Sequence, residues 1–161
     1  MREEIIQESI ISLRQEGLRF SVDTLAERLK ISKKTVYKYF PDKEALAFAL
    51  YETYYDSVIQ QATLLSDSKN PSYRELLLLY FDSKVMTRSE IFNKYKLNKT
   101  LWEYADKKNE VLWAVISSCF PGKISKKDSD AVRAIVDGTF EKLCNEGTHP
   151  EHVIERLVTL L

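Results

Sequence analysis

Lys33, Lys34, Thr35, Tyr37, Lys38 and Tyr39 crowd into one short stretch of the chain. These residue types donate to anionic oxygens and to the exposed edges of bases. Lysine offers a point charge to phosphate and a donor to guanine O6 and N7, and threonine and tyrosine hydroxyls add neutral donors that fix register. From Arg28 to Lys43 there are six basic side chains, Arg28, Lys30, Lys33, Lys34, Lys38 and Lys43, against Asp42 alone, whereas the 24 basic and 24 acidic residues of the whole chain balance. A concentrated patch on a neutral chain attracts phosphate through counterion release without making the molecule adhere to every polyanion. A solvated helix face is the plain alternative for a lysine run, but here the tyrosines and Thr35 alternate with inward-facing positions, as a groove-binding helix requires.

Other chemistries lack their constellations. His149 and His152 stand three apart at the start of a helix pattern and could touch one metal, but no Cys, Asp or third His lies near them in sequence, so surface or capping roles fit better. Cys119 and Cys144 have neither zinc-ligand nor redox-pair spacing and suit small apolar packing. No Gly-x-Ser-x-Gly elbow and no glycine-rich phosphate loop occurs, so the chain is not expected to be an enzyme or to need a cofactor. Absence of a long apolar run, or of a charged-apolar-small leader, predicts a soluble, cytoplasmic protein.

The elements that must position the basic stretch can be read around it. Ser21 can cap a helix whose buried face is Val22, Leu25, Ala26 and Leu29; Leu29-Lys30-Ile31 makes a turn; Ser32 can cap a second helix with Val36 and Phe40 facing inward. Pro41 disfavours helical geometry at Phe40, and Asp42 can cap a third helix with Lys43 and Glu44 in its first turn. Two short helices about a tight turn, the second bearing the basic face, read as a helix-turn-helix that binds double-stranded DNA.

These stretches, Ser21-Val22-x-x-Leu25-Ala26, Lys30-Ile31-Ser32-x-x-Thr35-Val36-Tyr37-x-Tyr39-Phe40 and Lys43-Glu44-x-Leu46, together with a preceding helix from Glu3 to Gln15 ended by Gly17, resemble the DNA-binding domain of the TetR/AcrR-type bacterial transcriptional regulators. Two positions depart from that family: Lys30 stands where relatives usually carry glycine, and Asp23 where they often carry a basic or polar residue that touches DNA. The resemblance covers roughly the first 50 residues. It implies a repressor acting as a homodimer on a palindromic operator and released by a small-molecule effector. It also implies that Lys33, Lys34 and Tyr37 contact bases while Ser21, Thr35, Lys38, Tyr39 and Lys43 hold phosphates.

The remainder predicts an all-α protein, with a DNA-binding domain over residues 1–47 and a helical effector-binding and dimerisation domain over 48–161. A long helix should run from Lys43 to about Leu65, with Asn70 and Pro71 suited to the cap and first position of the next, which continues from Tyr73 to about Met86. A short helix over Ser89 to Tyr95 and a longer one over Asn98 to Cys119 follow. Capping boxes at Ser125-x-x-Asp128 and Thr148-x-x-Glu151 place two more at about 126–145, ended by Gly147, and 149–161. Val132, Ile135, Gly138, Thr139, Val153, Leu157 and Leu160 mark those last two helices as the expected dimer interface, packing within one subunit being the alternative. Tyr80, Phe81, Met86, Phe92, Trp102 and Trp113 either line a pocket for an apolar or aromatic effector or form ordinary core. A helical protein-interaction module remains the rival to the DNA-binding reading; the dense set of phosphate-type donors speaks against it.

Overall fold

The computed structural model describes residues 1–88, 91, 98–122, 124–146, 150–159 and 161. Among these the protein is all helical, with α1 at Arg2–Glu16, α2 at Val22–Arg28, α3 at Lys33–Tyr39, α4 at Lys43–Ser66, α5 at Tyr73–Lys84, α6 at Asn98–Ser118, α7 at Lys126–Glu146 and α8 at Glu151–Val158. Short 3-10 turns occur at Gly17–Arg19 and Val85–Thr87. The chain forms two compact units, one of Met1–Ser57 with Met86–Lys107 and one of Val58–Val85 with Lys108–Leu161. The helix expected over Ser89 to Tyr95 lies largely outside the described residues, as do Gly147, Thr148 and His149. No helix among the described residues is long and apolar enough to cross a membrane.

In the first unit α1 turns Ile5, Ile6, Ser9, Ser12 and Leu13 inward, with Glu3 and Glu4 in its first turn and Arg14 in its last, the order the helix dipole favours. Gly17 ends it at φ 68°, ψ −167°, and its N–H donates to the Leu13 carbonyl. That backbone region is essentially reserved to glycine. Phe20, Val22, Leu25, Ala26, Val36, Phe40, Leu46 and Leu50 of the same unit are all buried. Farther along α4, the buried Tyr51 hydroxyl donates to the Met86 carbonyl at 2.8 Å. Burial pushes that phenol far above its ordinary range.

In the second unit α5 buries Leu76, Leu77, Tyr80 and Phe81, and α7 turns Val132, Val136 and Phe140 inward. Phe81 meets Phe140 edge-on at 5.0 Å, and Tyr80 lies 4.9 Å from Trp113. The Ser125 cap forms as expected: its hydroxyl oxygen accepts the Asp128 N–H at 3.1 Å, and the Asp128 carboxylate accepts the Ser125 N–H at 3.3 Å. At α5 the cap is Ser72, whose hydroxyl oxygen accepts the Glu75 N–H at 3.3 Å. The helix therefore begins two residues after the expected Asn70 cap, because Ser72 is extended and within reach of the amide three positions on.

The turn between α2 and α3 holds the one non-glycine residue of positive φ among those described, Lys30 at φ 55°. Leu29 is the last α-like residue, the Lys30 N–H donates to the Glu27 carbonyl at 3.0 Å and the Ile31 N–H to the Ala26 carbonyl at 2.9 Å. This pair of bonds is a Schellman closure, in which the left-handed position usually falls to glycine. A side chain there costs about 1–2 kcal/mol. Replacing Lys30 by Gly is expected to raise the free energy of unfolding by about 0.5–1 kcal/mol, the relieved strain being partly offset by unfolded-chain entropy. Replacing Gly17 by Ala should lower it by about 1–3 kcal/mol. Urea denaturation of both variants measures the contrast.

Candidate nucleic-acid interface

The side chains of α3 divide sharply. Val36 is 1% exposed and Phe40, the residue that ends the helix, 3%, whereas Tyr37 is 39% and Tyr39 41% exposed. Lys33, Lys34 and Lys38 are exposed as well. The helix is thus pinned by one face, each anchor contributing roughly 2–3 kcal/mol of burial. The Ser32 hydroxyl oxygen accepts the Thr35 N–H at 3.1 Å and lies 2.9 Å from the Thr35 hydroxyl. Ser21 caps α2 in the same way, accepting the Thr24 N–H at 3.3 Å, and the Asp42 carboxylate caps α4 through the Ala45 N–H at 2.7 Å. Three helix starts are therefore fixed by short polar side chains immediately before them.

A hollow of about 490 Å³ on this surface is lined by Ser32, Lys34, Thr35, Tyr37 and Lys38. It gathers Lys34 and Tyr37, expected at bases, with Thr35 and Lys38, expected at phosphates. The other four candidates lie outside it. Lys33 bonds to the Asp23 carboxylate at 2.8 Å, and that hydrogen bond holds its ammonium above the ordinary lysine range. Lys43 packs its ammonium 4.7 Å from the centre of the Phe20 ring, where partial burial lowers its pKa and nearby Glu16 opposes the shift. Ser21 is half-buried at its cap, and Tyr39 stands exposed.

Arg28 does not join the outward basic set. Its guanidinium reaches back to α1, donating to the Ser12 hydroxyl at 3.0 Å, to Glu8 at 3.4 Å and to Glu16 at 3.3 Å. Glu8, Ser12 and Glu16 recur every four residues along one stripe of α1, a polar face visible in the sequence, but nothing in the sequence names Arg28 as its partner. Its charge ties α2 to α1 and is neutralised there, as Lys33 is by Asp23. Lys30, Lys34 and Lys38 form no ion pair among the described residues.

Candidates elsewhere fall into different settings. Tyr80, Phe81 and Trp113 are buried in the second unit, while Met86, also buried, and Trp102, 43% exposed, belong to the first. Phe92 and Leu160 lie outside the described residues. The Tyr80 hydroxyl donates to the Asp137 carboxylate and accepts from the Arg133 Nε, both at 3.0 Å, and Arg133 forms a two-pronged bond to Glu110. Burial first, then Asp137, raises the Tyr80 phenol well above its usual range. A groove of about 620 Å³ in the same unit is lined instead by Gln61, Leu64, Leu65, Glu75, Leu78, Leu79 and Asp82. Of the expected interface residues, Val132 and Leu157 are buried and Val153 is half-buried. Ile135 is exposed, and a Cβ on Gly138 would meet nothing within 4 Å. The Thr139 hydroxyl donates to the Ile135 carbonyl at 2.8 Å. No described cluster of His, Cys, Asp and Glu could hold a metal ion.

Residues 5–50 match the family of bacterial regulatory proteins, tetR family. The chain is 33% identical over 87 residues to the uncharacterized HTH-type transcriptional regulator YuxN of Bacillus subtilis (strain 168), a match covering 51% of this chain and 30% of that protein. The crystal structure of the transcriptional regulator FadR from Bacillus subtilis in complex with stearoyl-CoA has the same fold, with a TM-score of 0.66 at 15% identity over 99% of this chain and 97% of that one.

Arg28 and Lys38 carry the same charge yet should behave oppositely. Arg28→Ala is expected to lower stability by about 1 kcal/mol and leave the salt dependence of duplex binding unchanged, since its partners lie on α1. Lys38→Ala should leave stability within about 0.5 kcal/mol and reduce the salt slope by about one. Thermal melts and a salt series of binding isotherms separate the two.

Proposed function

We propose that this chain, whose residues 5–50 match the tetR family of bacterial regulatory proteins, is a transcriptional regulator of that family, a homodimeric repressor that reads a palindromic operator with α3 and is released by a small-molecule effector. The observation that carries the DNA-reading part is the hollow of Ser32, Lys34, Thr35, Tyr37 and Lys38 on a helix whose inward face is only Val36 and its closing Phe40. Lys34 and Tyr37, with Lys33, take base edges; Ser21, Thr35, Lys38, Tyr39 and Lys43 take phosphates and set register. Residues 1–47 would form the reading head and 48–161 the part that senses and dimerises.

Two identical heads roughly 34–36 Å apart would read the two half-sites of a palindrome on one side of the duplex. The outward stripe of α7, Ala131, Ala134, Ile135 and Gly138, supports the dimer, because small and apolar side chains at spacings of three and four admit close approach of a symmetry-related helix. Val132 and Leu157 would back that interface from inside the subunit, with Val153 and Thr139 at its margin. The effector would be a molecule with an apolar body, a class to which the stearoyl-CoA of the FadR complex belongs. It would act on the Tyr80, Phe81 and Trp113 rings. Such a ligand shifts the DNA equilibrium only by the ratio of its affinities for the two dimer states. α4, a single helix from Lys43 to Ser66, is the element through which that difference would reach the reading head.

Selection of bound duplexes from a random pool by the purified protein should yield a palindrome, and competition with acyl thioesters and aromatic compounds should then reduce binding. The same selection with Lys34→Ala should relax the preference at one position of each half-site, a loss of about 1–3 kcal/mol of discrimination. An unaltered preference would remove Lys34 from the base-reading set. Ile135→Glu should turn the dimer into a folded monomer, with association weakened by at least about 3 kcal/mol, as light scattering and circular dichroism would register.

A further inference from the structure

The ion pair between Asp23 and Lys33 places an anion within the surface that the proposed function turns toward DNA. Its two side chains are 62% and 48% exposed, and their charged atoms are 2.8 Å apart. Helix electrostatics explains why it forms: Asp23 lies in the first turn of α2, where a carboxylate is favoured, and Lys33 opens α3, where an ammonium is not. Asp23 supplies the compensation that the start of α3 lacks.

We propose that Asp23 is a specificity-determining residue, which withholds Lys33 from sequence-independent phosphate contact and surrenders it only to a base step offering partners for both side chains. A lysine bound to carboxylate gains little by exchanging it for phosphate, and the exchange would leave Asp23 facing the backbone's negative charge. Non-specific binding therefore falls to cations without a carboxylate partner, Lys34 and Lys38 among them. A G·C pair meets both needs, since guanine O6 and N7 accept from lysine and the cytosine N4 amino group donates to carboxylate on the same major-groove edge. The inference rests on the DNA-binding reading and adds to it the source of discrimination.

The test is a salt series of fluorescence anisotropy isotherms for the full chain on its selected duplex, on that duplex with its G·C pairs changed to A·T, and on a scrambled duplex. Asp23→Asn should tighten binding to the scrambled duplex by about threefold or more and steepen its salt slope by about one, as one more phosphate contact would. The ratio of selected to scrambled affinity should fall about threefold or more, and the G·C-to-A·T change should matter less. Asp23→Glu should keep the wild-type ratio; if Asp23→Asn lost helicity, Asp23→Ser would take its place. In a Lys33→Ala background the same substitution should have less than half its effect. Equal tightening on all three duplexes, no change on the scrambled duplex, or an undiminished effect without Lys33 would each overturn the proposal. A wild-type protein that bound no duplex would instead overturn the DNA-binding reading itself.

Discussion

The bond from the Ile31 N–H to the Ala26 carbonyl, with its companion from Lys30 to Glu27, governs what the first unit can present. It closes α2 and swings the chain through a left-handed residue at Lys30, so that Ser32 arrives extended and in place to cap α3. The direction of α3, and hence of every side chain on its outer face, follows from that closure. A regular continuation of α2 would carry Lys33 to Tyr39 along the same axis and bury a different stripe. The strain at Lys30 is small against the burial of Leu25, Val36 and Phe40 that the turn makes possible.

Charge on this surface is selected by pairing rather than by sequence count. Six basic side chains between Arg28 and Lys43 suggest a uniform patch, but the guanidinium of Arg28 is spent on α1, Lys33 is held by Asp23 and Lys43 packs on Phe20. Of the three that remain, Lys34 and Lys38 are grouped about Thr35 and Tyr37, and Lys30 stands exposed at the turn. That arrangement gathers the hydroxyl and ammonium donors of α3 on its exposed side. The second unit uses its charges differently, with Arg133 joining Tyr80 to Glu110 in a half-buried network next to the tilted Tyr80 and Trp113 rings.

Much of this was legible in the sequence because it depends on neighbours in the chain. Ser21, Ser32, Asp42 and Ser125 cap the helices they precede, since each needs only the amides of the following turn. The inward pair Val36 and Phe40 and the extents of α4, α6 and α7 follow from helical periodicity for the same reason. Partners brought together by the fold were not legible. Arg28 lies 16 residues from Ser12 and Lys33 lies 10 from Asp23, and nothing local distinguishes a lysine held by a distant carboxylate from one left to solvent. The aromatic set shows the same limit: composition groups Tyr80, Met86, Trp102 and Trp113 as one kind of residue, but Met86 and Trp102 fall in a different unit from Tyr80 and Trp113.

We propose that the outer face of α3, set by the turn at Lys30, is the surface that meets duplex DNA. Amide chemical-shift mapping of the labelled protein during titration with a duplex tests it directly. Shifts should concentrate between Ser21 and Lys43, largest at Lys34, Tyr37 and Lys38, and should fade as salt is raised. Shifts confined to α5, α7 or α8, with α3 unchanged at saturating duplex, would contradict it.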